Sequence, residues 1–172
     1  MYNSKTSHNN VHYKASLSST QLILVLFIKN IINKAVLAVF MVKKYFTVDT
    51  AQKQIPKIKK SLLKLQHLKK AIDAITSVRI DPKEIDYDEL VETNTKLSKE
   101  FHKLSYEFYI EIENLEKTGC VLKDLEQGLA DFYCRFESRD IFLCWKLGEE
   151  KIKAWHEVDD GFIGRKKIIE LE

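Results

Sequence analysis

The chain has 172 residues, 45% hydrophobic and 31% charged, with a net charge of +3, five Gly and two Pro. That is an ordinary globular composition, long enough for one real core and so poor in breakers that long uninterrupted helices are favoured. The three cysteines, Cys120, Cys134 and Cys144, form no CxxC pair and no even framework, so a disulfide scaffold is excluded and reduced thiols in a cytoplasm are expected.

Charge is unevenly spread. Lys plus Arg against Asp plus Glu runs 4 to 0 over residues 1–42, 10 to 2 over 43–80, 5 to 11 over 81–120 and 9 to 12 over 121–172. A basic block is followed by an acidic one, and this asymmetry says more than the net value.

Residues 1–40 read as an extension. Residues 1–20 are polar and without period, which predicts disorder. Residues 22–42 are apolar but carry Lys29, Asn30, Asn33 and Lys34 at their centre. Each central Lys costs about 3 kcal/mol and each Leu, Ile, Val or Phe returns roughly 0.5, so membrane insertion is near break-even. A membrane anchor is the alternative reading. The favoured one is that translation begins at Met41, where "VKKYFTVDTA" opens a clean domain spanning residues 41–172. An intact native mass of 20.1 kDa would contradict it.

Thr47 is a natural N-cap, and apolar residues then recur by threes and fours at Ile55, Ile58, Leu62, Leu65, Leu68, Ile72 and Ile75. This predicts a helix over about 47–80, kinked at Pro56. Asp81-Pro82 marks a loop. A second helix over about 87–118 follows, its seam built from Leu90, Leu97 and Leu104 and from Phe101, Phe108 and Leu115, broken by Asn94 and Glu111 and ended by Gly119. Two such helices on a short loop pair antiparallel, in a coiled-coil manner. Lys57, Lys59, Lys60, Lys64, Lys69 and Lys70 on the first should face Glu92, Glu100, Glu107, Glu111, Glu113 and Glu116 on the second. A nucleic-acid surface on the basic helix is possible but not favoured, because aromatics for base stacking are absent there.

After Gly119 the period falls to two. Strands are expected at 128–136, 141–147 and 152–158, joined by four-residue hairpin loops at 137–140 and 148–151. That register pairs Phe136 with Ile141 and Leu147 with Ile152. One face then holds Ala130, Phe132, Cys134, Phe136, Ile141, Leu143, Trp145, Leu147, Ile152, Ala154, His156 and Val158, all apolar but His156. The other, exposed face carries a row of Tyr133, Cys144 and Trp155, with Asp131 opposite Lys146. In this arrangement Cys134 and His156 lie two strand spacings apart, about 9.6 Å, and Cys144 points away. Neither a Cys/His metal site nor a Cys–His nucleophile pair is expected, and no cofactor is implied.

His156 is read as a core histidine with its ring nitrogens satisfied, or else as an acid or base in a pocket. Trp145 and Trp155 read as packing and Glu149 as turn chemistry after Gly148. In the Gly-rich tail 159–166, "DDGFIGR", Arg165 either binds an anion or pairs with Asp159 or Asp160. Asp131, Cys144, Trp145, Glu149, Trp155, His156 and Arg165 are the candidate binding residues. None is assigned a catalytic role.

"YFTVDTA" with a Pro-bearing helix, "VLKDLEQGLADF", "LCW..GE..I..WH" and "GFIGR" together resemble a family of uncharacterised bacterial and archaeal proteins, domain of unknown function 2203. The resemblance covers roughly residues 41–166. It places Asp124, Gly128, Asp131, Phe132, Cys144, Trp145, Gly148, Glu149, Trp155, His156, Gly161, Phe162, Gly164 and Arg165 among motif positions, and it implies no activity. Tyr133 stands where Pro is expected and Ser138 where Gly is expected, so the first hairpin departs from the family pattern.

The fold expected is α+β: a long antiparallel helix hairpin carrying a three- to four-stranded antiparallel meander, with a further strand from Lys43–Phe46 or Cys120–Lys123. The leading function is a non-enzymatic interaction or scaffold module, with a protein partner or homodimer. The alternatives are a small enzyme or ligand-binding protein working around His156 and Arg165, and nucleic-acid association through the first helix. The cell membrane enters only if residues 22–42 anchor the chain.

Overall fold

The computed structural model describes residues 43–81 and 85–171. The expectations for residues 1–40 and for the apolar segment 22–42 lie outside them. The architecture is α+β. Helices α1 (Val48–Gln52), α2 (Ile55–Ser77) and α3 (Tyr87–Glu116) precede a five-stranded antiparallel sheet in the order β1 (Val121–Asp124), β2 (Leu129–Phe136), β3 (Arg139–Lys146), β4 (Ala154–Glu157) and β5 (Lys166–Lys167). No described helix is long and apolar enough to cross a membrane.

Thr47 caps α1 as expected, its hydroxyl accepting from the Thr50 amide at 3.2 Å while the Thr50 hydroxyl accepts from the Thr47 amide at 2.8 Å. Pro56 breaks the expected long helix in two. It sits in the first turn of α2, where its missing N–H costs nothing, so the chain starts a new helix instead of kinking an old one. The second helix matches its expected bounds closely, with Asp86 as N-cap. Gly119 follows it at φ +88°, and a Cβ there would meet the Lys44 side chain at 2.7 Å.

The expected ionic attraction between the helices is largely absent. Among the described residues only Lys64 crosses to α3, meeting Glu111 at 2.8 Å. Glu111 also accepts from the Ser61 hydroxyl at 2.6 Å, so the residue that interrupts the apolar seam is buried with both partners on α2. Glu92, Glu100 and Glu113 pair within their own helix, with Lys96, Lys103 and Lys117. Ion pairs three or four residues apart form locally without help from the hairpin.

The sheet corrects two loop lengths. The first hairpin turns on two residues, Glu137 (φ 47°) and Ser138 (φ 64°), so Phe136 pairs with Arg139 and not with Ile141. Two left-handed residues in succession make the tight turn that suits twisted strands. The shift is two places, so the β2 and β3 faces survive as expected, but Asp131 now lies opposite Cys144, not Lys146. The second connection spans seven residues, Leu147 to Lys153, in place of four. Its register pairs Phe142 with His156 and Leu143 with Trp155. That is an odd shift, and it exchanges the faces of the whole last strand.

The inner face therefore carries Ala130, Phe132, Ile141, Leu143, Trp145 and Trp155, joined in one core with Phe46, α2 and the second half of α3. Of the two suggested extra strands one forms, as β1, and the other segment makes only an isolated bridge to the same edge of β2. Strand β1 pairs with its first half, and Tyr45 bridges in parallel to Tyr133, with the Phe46 amide donating to the Tyr133 carbonyl at 2.7 Å.

Candidate functional site

The seven-residue connection is held by specific bonds, and they explain why simple alternation misplaced β4. Gly148 turns at φ +100°. The Trp145 indole N–H donates to the Glu149 carbonyl at 2.9 Å, and the Glu149 carboxylate accepts from the Lys146 amide at 2.8 Å. Gln52 of α1 accepts from the Ile152 amide at 2.9 Å, fixing that residue against the core without a strand. Arg165 returns from the tail and donates one nitrogen to both Glu149 oxygens at 2.8 Å, and to the Cys144 carbonyl at 3.4 Å. It does not pair with Asp159 or Asp160 as expected. Glu149 and Arg165 form a clasp that closes the turn, while Arg165 Nε is buried without a hydrogen-bond partner among the described residues.

Trp145 and Trp155 are both buried on the inner face, their indole N–H groups donating to the Glu149 and Lys167 carbonyls. Both are packing residues, as expected, but the row of Tyr133, Cys144 and Trp155 does not exist.

What the odd shift creates is on the outer face. Asp131 of β2, Cys144 of β3 and His156 of β4 occupy neighbouring positions on three adjacent strands, two of them directly cross-paired. One ligand-type atom from each, a carboxylate oxygen, the thiol sulfur and a ring nitrogen, lies within 4.8 Å of the others. The three residues are 1%, 2% and 1% exposed. His156 is still apart from Cys134, now because the two lie on opposite faces, but it shares its face with Cys144. The outer face is not an exposed one here.

Hydrogen-bond direction constrains the protonation of this trio. His156 Nδ1 lies 2.7 Å from the Glu157 carbonyl oxygen, which only accepts, so Nδ1 carries a proton. His156 Nε2 lies 3.1 Å from Asp131 Oδ2. With Asp131 ionised, that contact also requires positive charge at Nε2. Burial alone would lower the His156 pKa, but the hydrogen bond to Asp131, the Glu157 carbonyl and the Asp131 charge together raise it above the usual value. The Cys144 thiol is pushed far above the ordinary thiol range by burial first, then by the charge of Asp131 and a hydrogen bond to it. Asp131 Oδ1 is buried without a hydrogen-bond partner of ordinary geometry among the described residues.

Lys123 of β1 stands beside the trio. Its ammonium stands 3.9 Å from the centre of the Phe142 ring and 3.8 Å from Asp131 Oδ2, with the side chain 30% exposed. Phe142 in turn packs beside His156, ring centres 5.5 Å apart. Sequence reasoning missed Lys123. Only its place in a strand pairing with Asp131 identifies it, and that pairing follows no periodic signal in four residues.

Residues 44–168 match the family model described as "Uncharacterized conserved protein (DUF2203)", and the chain belongs to that family. No curated protein and no solved structure matches it.

Proposed function

We propose that this is a small ligand-binding protein whose working site is the Asp131–Cys144–His156 trio beside Lys123, with the helices serving as its platform. The observation that carries this reading is the burial of an ionic pair and a thiol together on the face the core does not use. Replacing a buried ion pair by well-packed apolar side chains is often neutral or stabilising by about 1–4 kcal/mol, so folding alone gives little reason to keep one. The candidate residues Glu149, Arg165 and Trp145 support the site by holding the connection that sets its register, and Trp155 ties β4 to the tail. The test is the variant Asp131→Leu/Cys144→Val/His156→Leu. The expected result is a folded protein at least as stable as the parent. In a thermal-shift panel of divalent cations, small carboxylates and phosphates, it should lose a response the parent shows. A variant that cannot fold, or a parent whose melting responds to nothing in the panel, contradicts the reading.

One observation supports the nucleic-acid reading beside it. Lys57, Lys59, Lys60 and Lys70 of α2 make no ion pair among the described residues and stand exposed, so the helix hairpin does not neutralise its own basic face. An anionic partner such as nucleic acid is the second reading. A gel shift that weakens steeply with salt and disappears in Lys57/Lys59/Lys60→Glu would support it, and no shift at low salt removes it.

A further inference from the structure

Resting on the ligand-binding reading above, we infer that the ligand of the Asp131–Cys144–His156 site is a borderline-soft divalent transition metal ion, of which zinc is the type.

Three observations converge on this. The first is the donor set. A carboxylate, a thiol and an imidazole within 4.8 Å of one another need only a small side-chain movement to share one ion with metal–ligand bonds of about 2.0–2.3 Å. A sulfur donor selects zinc-like ions over magnesium or calcium, which take oxygen ligands.

The second is the orientation of His156. Its Nδ1–H donates to a backbone carbonyl while Nε2 faces the other two donors. A metal-binding imidazole characteristically gives its second nitrogen to such a carbonyl, which fixes the tautomer that leaves the first nitrogen's lone pair free for the ion.

The third is the buried carboxylate oxygen Oδ1 of Asp131, which lacks a hydrogen-bond partner of ordinary geometry among the described residues. Such an atom is costly unless something meets it. When the ion binds, any proton on Nε2 or Sγ leaves to solvent.

Three protein ligands leave a fourth tetrahedral position, the pattern of zinc sites that keep an exchangeable ligand. Among the described residues Lys123 is the cation that stands beside the trio, and Arg165, the next one along, is committed to Glu149.

The test uses the full chain, stripped of metal with a chelator and titrated with Zn²⁺ alone and with Mg²⁺ alone. Native mass spectrometry should show one Zn²⁺ per chain and no Mg²⁺. Losing a supporting partner of a ligand costs about 10–100-fold in affinity, so Cys144→Ala, His156→Gln and Asp131→Asn should each weaken Zn²⁺ by no less than roughly 100-fold. Cys134→Ala, at the half-buried thiol outside the trio, should not. Co²⁺ in the unmodified chain should give a thiolate-to-cobalt absorption band, a readout that needs no variant. Absence of both Zn²⁺ uptake and the cobalt band overturns the inference, as does Zn²⁺ uptake that persists in Cys144→Ala and His156→Gln. If zinc is silent while another ligand shifts the parent but not the apolar triple variant, the metal inference falls and the ligand-binding reading stands. If nothing shifts the parent, both fall.

Discussion

The two faces of this one sheet are buried to a similar degree and for opposite reasons. The inner face, with Phe132, Leu143, Trp145 and Trp155, is apolar and packs on the helices, where burial of each large side chain returns about 1.5–3 kcal/mol. The outer face has Phe142 and Ala154 but also Asp131, Cys144 and His156, whose burial costs free energy unless each polar atom is matched. A difference of that kind within a single sheet separates what holds the fold from what the fold holds.

That contrast can be broken from either side. On the inner face Phe132→Ala removes a fully buried ring and should cost about 3–5 kcal/mol in chemical denaturation, by loss of transfer energy plus a cavity. On the outer face Asp131→Ala should cost a similar amount, about 3–5 kcal/mol, because it strands the His156 charge. The two differ in their rescue. Adding His156→Leu and Cys144→Val to an apolar residue at 131 should restore stability, whereas no polar change compensates Phe132→Ala. If Asp131→Ala costs nothing, the pair is not ionic and the comparison fails.

Smaller effects sharpen it. Gly128 turns at φ +67° just before β2, and a Cβ there would stand 2.5 Å from Leu147 Cβ. Gly128→Ala should cost about 1–3 kcal/mol by overpacking, measured as a shifted denaturation midpoint with unchanged slope. Glu111 supplies a pH probe away from the trio. Burial alone would raise its pKa, but the bonds from Lys64 and Ser61 outweigh it and hold the carboxyl below the usual range. Its contribution is thus complete above the unfolded-state pKa and fades as pH falls through the lower folded value. Glu111→Gln should flatten the acid limb of stability relative to the parent, and an unchanged limb would show that the pair does not form. The smallest effect is expected at the first hairpin. Ser138→Gly relieves a left-handed residue at φ 64° and should stabilise by about 1 kcal/mol.

Much of the fold was legible because its signals are local. Thr47, Gly119 and the three–four stripe of α2 each report on a neighbourhood of a few residues, and the helices end close to where those residues place them. The faces of β2 and β3 were legible too, because a two-place error in a hairpin preserves parity. The site was not. Its assembly depends on whether the chain between Trp145 and His156 contributes an odd or an even number of residues, and non-local bonds decide that: Gln52 to Ile152, and Arg165 to Glu149. Ala154, Trp155 and His156 are all buried, so β4 offers no alternation to correct the count. Pro56 misled for a related reason, since the same residue kinks a helix or starts one depending on the turn before it.

The register of β4 is the claim on which the site rests, and nuclear Overhauser contacts from the His156 ring test it most directly. The structure predicts cross-peaks to the Phe142 ring and to the Cys144 β-protons, and none to the Trp145 indole. Cross-peaks to Leu143 methyls and to Trp145 in their place would put the imidazole on the inner face, and the trio would not exist.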